Sequence, residues 1–299
     1  MYLKKLSSWV LVLLLSSSFL QSIDAQDPKF DGYWGHGDAE ITSFELEQAR
    51  YGEIRKGQAV QIFVTEDFSR SKQVKLDQPE TKKLDAVKIL KMNLNKKFNT
   101  GLYDYSMMQS VFTPVDEDKY PYTMKTTTSI QDWCGQTFTQ VNLQAYRYKV
   151  SIRSYFESEG DVEEVLEQAI LEDEIWNRIR LNPEELPTGE FAMIPSAAMA
   201  RLIHKTPVVT DVEASNEKHK SNSSLMTYTV KFLEPERVLA IDYHKTFPHH
   251  IVGWKETYED NGKKLTTKAT KKATLMIDYW NKNSSSDSKL RKVLKLDEE

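Results

Sequence analysis

One cysteine and a group of histidines are the residue types in this 299-residue chain best suited to covalent or metal chemistry. Cys134 stands in Gln131-Asp132-Trp133-Cys134-Gly135-Gln136. A thiol nucleophile for transpeptidation or acyl transfer needs a histidine within hydrogen-bond reach, because a free thiol is mostly protonated near neutrality. His244, His249 and His250 are the candidate bases, and with Cys134 they form the candidate catalytic set of an exported hydrolase or transferase. Trp-Cys-Gly also suggests a dithiol oxidoreductase, but Thr137 occupies the position of the second cysteine, so exchange by a Cys pair is excluded. A buried thiol in a strand is the competing and favoured reading. His249 and His250 are adjacent, which sends them to opposite faces of a strand, and no His-Glu-x-x-His spacing occurs. No metal and no cofactor is expected. Asp242 and His244, two apart, share a face and are placed to pair.

Aromatic residues carry more of the functional signal than titratable ones. Tyr103, Tyr105, Met107, Trp133 and Trp254 are the candidate ligand contacts, as large amphipathic or adaptable side chains suited to lining a concave, mostly apolar pocket. The competing reading makes them core residues of a large sheet.

The elements that must position these residues are mostly strands. Short β-branched and aromatic runs separated by turn formers predict strands at Ile41–Leu46, Ala59–Thr65, Gln73–Leu76, Val87–Leu94, Leu102–Phe112 and Met124–Ile130, then one long strand over Thr137–Tyr155. Helical spacing of Val162, Val165, Leu166, Ala169, Ile170, Trp176 and Ile179, with Asp161 as cap, predicts a long helix over Val162–Arg180. A short helix is expected at Ala197–His204. Strands resume at Val208–Ala214, Met226–Leu233, Val238–His244, Ile251–Tyr258 and Leu265–Tyr279, the last two joined by an Asn261-Gly262 type I′ turn. The predicted class is α+β, mainly β: a large curved antiparallel sheet or half-closed barrel with one long and one short helix.

Lys4 and Lys5 precede an apolar run from Leu6 to Leu20 that ends in Ser22-Ile23-Asp24-Ala25, the pattern of a cleaved secretory signal and too short for a membrane span. The expected organisation is therefore 1–25 signal peptide, 26–282 a single β-rich domain and 283–299 a polar C-terminal tail that either frays or forms a short helix. No cysteine follows the apolar run, so an N-terminal lipid anchor is excluded, and a lone cysteine excludes an internal disulfide. Without Lys4, Lys5 and Asp24, the 40 basic and 44 acidic residues leave a net charge of −5, which argues against nucleic acid as partner. A periplasmic or secreted address also disfavours chemistry that draws on ATP or nicotinamide pools.

Three stretches carry a resemblance: Tyr51-Gly52-Glu53-Ile54-Arg55-Lys56-Gly57 with Ile62 to Phe68, Lys97-Phe98-Asn99-Thr100-Gly101 to Ser106, and Asp132-Trp133-Cys134-Gly135-Gln136-Thr137-Phe138-Thr139-Gln140. Across most of the mature chain they resemble an uncharacterised family of exported proteins from Bacteroidetes-type bacteria, sometimes labelled septum formation inhibitor Maf. The Ser-Pro-Arg-Arg motif of the cytoplasmic nucleotide pyrophosphatases that own that label is missing, so their activity is not expected. Phe247-Pro248-His249-His250-Ile251-Val252-Gly253-Trp254 resembles part of periplasmic proteins with an unclosed β-barrel around a helix, akin to lipoprotein carriers, which implies an apolar concave site. The function expected is thus a non-enzymatic envelope protein that binds an apolar small molecule or an envelope protein.

Overall fold

Alternation of apolar and polar residues becomes strand along most of the chain. The computed structural model describes residues 28–296. Its strands are β1 (Ala39–Arg50), β2 (Glu53–Ser69), β3 (Ala86–Asn99), β4 (Asp104–Pro114), β5 (Lys125–Gln131), β6 (Gln136–Gln144), β7 (Arg147–Ser154), β8 (Val162–Glu167), β9 (Ile170–Leu171), β10 (Gly189–Ile194), β11 (Thr210–Lys218), β12 (Leu225–Phe232), β13 (Arg237–His244), β14 (Ile251–Asp260) and β15 (Lys263–Ile277). Four short helices accompany them: α1 (Pro28–Trp34), α2 (Ile175–Leu181), α3 (Ala197–Leu202) and α4 (Lys289–Val293). The segment expected to be a signal peptide, 1–25, lies outside the described residues.

All 15 strands form one sheet in the order β8-β7-β6-β5-β4-β3-β2-β1-β15-β14-β13-β12-β11-β10-β9. Pairing is antiparallel except between β9 and β10. The first and last strands are partners, so both ends of the described chain meet in mid-sheet. Asn261 and Gly262 have φ values of 50° and 73°, as a type I′ turn requires. The sheet is not closed: β8 and β9 are its edges. Side chains of the two flanks nevertheless share an apolar cluster, with Val141, Tyr148, Val150 and Ile152 packed on Leu171 and Ile194.

Three expectations are corrected. The long helix over Val162–Arg180 is instead β8, β9, a 3-10 turn at Glu172–Glu174, and α2. Its acidic residues find basic partners across the strand ladder, Lys149 with Glu163 at 3.1 Å and Arg147 with Glu167 at 3.1 Å, and cross-strand pairing overrides the helical spacing. Asp161 caps no helix; its carboxylate accepts from the Ser154 amide. The single strand over Thr137–Tyr155 is the β6–β7 hairpin, because Ala145 turns the chain at φ 53° and Tyr146 is left exposed. Gln73–Leu76 forms only an isolated bridge, Phe68 to Lys75. The C-terminal segment forms α4, and the Ser43 hydroxyl on the outer face of β1 donates to the Leu294 carbonyl.

One face of the sheet packs on α2 and α3. Phe44, Phe63, Met92, Phe98, Tyr105 and Trp254 meet Ile175, Trp176, Ile179, Met199 and Leu202 in a single core. Polar anchors fix α2 within it. Asn177 donates to the Leu90 carbonyl at 2.8 Å and the Thr113 hydroxyl at 2.9 Å. Arg180, 0% exposed, makes two bonds of 2.6 Å to the Glu40 carboxylate and one of 2.8 Å to the Pro248 carbonyl. Its guanidinium also lies over the rings of Trp34 and Phe63.

Strand β2 needs glycine where it crosses β3. A Cβ at Gly57 would meet the Lys97 carbonyl oxygen at 2.3 Å and the Phe98 Cβ at 2.7 Å, whereas one at Gly32 meets nothing within 4 Å. Gly57→Ala is expected to lower stability by about 1–3 kcal/mol, while Gly32→Ala leaves it unchanged or higher. Urea unfolding midpoints of the two variants check this.

Candidate functional site

The interior beyond α2 is polar and paired rather than open. Arg237 at the start of β13 donates to both Glu172 oxygens, at 2.7 and 2.5 Å, and to Glu256 at 2.7 Å. Glu172 in turn accepts from the Ser196 amide at 2.8 Å, which holds the start of α3. Gln109 bridges Asp173 and the Ser196 hydroxyl, each at 2.9 Å. Arg50 donates to the Leu202 carbonyl at 2.7 Å and so holds the other end of α3. It also donates to the Tyr105 hydroxyl, which bonds Tyr51 at 2.6 Å.

A pocket of about 290 Å³ opens beside α3, lined by Met199, Ile203, Arg237 and Tyr258 among others, and a cavity of about 20 Å³ lies between Lys96, Gln109, Trp176, Met199, Trp254 and Glu256, among others. The latter has room for about one water molecule. Burial pushes the Lys96 ammonium below its ordinary range. Burial, with Glu172 close by, pushes Asp173 up to about 7.

The outer face is different. A groove of about 1240 Å³ runs across β1–β5, walled at one end by Lys272, Lys295 and Leu296 and at the other by Asp132 and Trp133. Between those walls lie Glu45, Gln58, Lys97, Ser106 and Gln131. The register makes these five direct cross-strand partners in one row: Glu45 with Gln58, Gln58 with Lys97, Lys97 with Ser106, and Ser106 with Gln131. Trp133 is 68% exposed in the β5–β6 turn, whose shape is set by Asp132 accepting from the Cys134 and Gly135 amides.

The expected ligand contacts are divided by this arrangement. Tyr105, Met107 and Trp254 are core residues, Trp254 packed edge-on to Trp176 with ring centroids 5.3 Å apart. Tyr103 is half-buried against Tyr105. Trp133 stands outside, on the groove.

The expected catalytic set is not brought together. Cys134 is not the buried strand thiol expected: it is exposed in the turn between β5 and β6, where the chain reverses around the Asp132 carboxylate. His244, His249 and His250 belong to the β13–β14 connection, where His250 lies 3.2 Å from Glu40 at the start of β1. Gln131, just before the β5–β6 turn, is level with Glu45, so about 17 Å along the strands and about 19 Å across four strand spacings separate it from the Glu40 position. Burial lowers the affinity of His244 and His249 for a proton. His244 does not pair with Asp242, which instead accepts from Thr227 at 2.6 Å and lies 3.8 Å from His219. Among the described residues no group of three or more His, Cys, Asp or Glu is arranged to hold a metal ion.

Sequence reasoning missed Arg180, Arg237, Lys96 and the outer row. The alternation within β2, β3 and β4 marked the outer residues as solvent-facing, but only the register aligns them across five strands. No family model matches this chain, and neither a curated protein nor a solved structure matches it.

The buried acids give opposite pH signatures. Asp173 binds its proton more tightly folded than unfolded, so its contribution makes stability fall as pH rises from about 4 to about 7. Burial raises the Glu40 carboxyl, but Arg180 and His250 outweigh it and hold it well below the usual range; its contribution is present above about pH 4 and lost on acidification. Asp173→Asn is therefore expected to be more stable than the parent at pH 8, with the difference shrinking toward pH 5. Urea titrations at the two pH values measure it.

Proposed function

We propose that this is an exported, non-enzymatic binding protein of the cell envelope that takes its ligand or partner on the outer face of β1–β5. The observation that supports this reading is the size of the outer groove, about 1240 Å³ against about 290 Å³ for the pocket beside α3 and about 20 Å³ for the cavity within the core. An acyl chain or comparable apolar ligand needs a few hundred Å³. The core cavity would have to open to admit one, and the pocket beside α3 has Lys205, Glu236, Glu259 and Lys264 in its lining, which do not suit one. The separation of Cys134 from the three histidines favours binding over thiol catalysis. The export part of the proposal rests on Lys4, Lys5 and the apolar run after them.

A second reading has its own observation. Leu102, Trp133 and Tyr155 are 80%, 68% and 71% exposed at the turns of three successive hairpins along one rim. Such a row of apolar tips suits a lipid surface or an envelope protein approaching that rim. Trp133 belongs to both readings.

Cys134 offers a direct test because it is exposed and adjacent to Trp133. Native mass spectrometry of the mature chain purified from its own host is expected to detect a retained species that is lost after Cys134 is alkylated with a bulky maleimide. The same reagent on Tyr146→Cys in a Cys134→Ser background, at the opposite rim, should leave it bound. Retention in both proteins would put the ligand away from the groove.

A further inference from the structure

We infer that the outer groove binds a neutral, polyhydroxylated chain, an oligosaccharide, laid across the strands from β1 to β5; this rests on the reading of that face as the binding face. The five residues of the row occupy successive strands at a spacing of ~4.8 Å, giving a polar platform about 19 Å long. Among the described residues none of the five side chains is engaged in a hydrogen bond or ion pair. Their capacities are mixed: Glu45 accepts, Lys97 donates, and Gln58, Ser106 and Gln131 do both. A chain of hydroxyls and ring oxygens offers donors and acceptors at the same short intervals. Trp133 closes one end with an exposed indole, an amphipathic ring whose face suits the C–H face of a sugar.

Other chemistries fit less well. Four lysines stand against three carboxylates along the groove lining, so the charge is nearly balanced and a polyanion finds no excess of cations. An extended peptide adds most readily to a free sheet edge, but β1–β5 lie inside the sheet and its edges are β8 and β9. An acyl chain would find Trp133 and Leu296 as isolated apolar contacts on a polar floor.

Isothermal titration of the full chain with cellotetraose, chitotetraose, maltotetraose and mannotetraose tests the inference. At least one is expected to bind with Kd of about 1 mM or tighter. Trp133→Ala and Gln58→Ala should each weaken it about tenfold or more, with unchanged unfolding midpoints, and Tyr146→Ala should leave it unaltered. Failure of all four sugars to bind overturns the saccharide inference. If a species retained from the host is still displaced by labelling Cys134, the outer-face reading survives that failure. Sugar binding that ignores both Trp133→Ala and Gln58→Ala overturns the groove assignment itself.

Discussion

The ion pair between Arg180 and Glu40 is the constraint around which the molecule is organised. A guanidinium that is fully withdrawn from water has to be neutralised and have its donors satisfied, or it carries a penalty of several kcal/mol. Here Glu40 takes two of those donors, the Pro248 carbonyl a third, and the faces of Trp34 and Phe63 cover the cation. Tyr33 adds a bond to the same carboxylate at 2.5 Å. One charged group thereby joins α1, β1, β2, α2 and the β13–β14 connection.

An interior built on this pair has little space for anything else. With α2 fixed, Glu172 and Asp173 immediately before it are drawn into the core, and Arg237 answers the first of them. Glu172 also holds the amide that begins α3, so the second helix is seated by the same chain of charges. A sheet this large would otherwise enclose a ligand-sized concavity. The polar network and two short helices occupy it, and the strand register and the C-terminal segment form a groove on the outer face.

Strand alternation was legible where one face is buried and the other wetter, as in β4, β5 and β12 to β14, whereas β1, buried on both faces over most of its length, was legible from its β-branched and aromatic run. The Asn261-Gly262 turn was legible from local chemistry alone. The segment from Val162 to Leu171 was not, because its spacing satisfies a helix and its strand state depends on pairing with β7 and on Val162 and Leu166 packing with Tyr148 and Val150. Glu40 and Arg180 are 140 residues apart, and nothing local marks either as buried. Trp133 was visible as a candidate contact, but its role at the end of a cross-strand row required the register. The cysteine and the histidines drew attention by residue type, and four strand spacings together with the offset along β1 keep them apart.

The most direct test of this account is a double-mutant cycle on Glu40→Gln and Arg180→Met, read by urea unfolding of the full mature chain. If the pair organises the interior, each single variant loses about 3–5 kcal/mol and the double variant loses no more than either single, giving a coupling energy of about 3 kcal/mol or more. A coupling below about 0.5 kcal/mol would mean that the helix is held by apolar packing alone and that the buried pair is incidental.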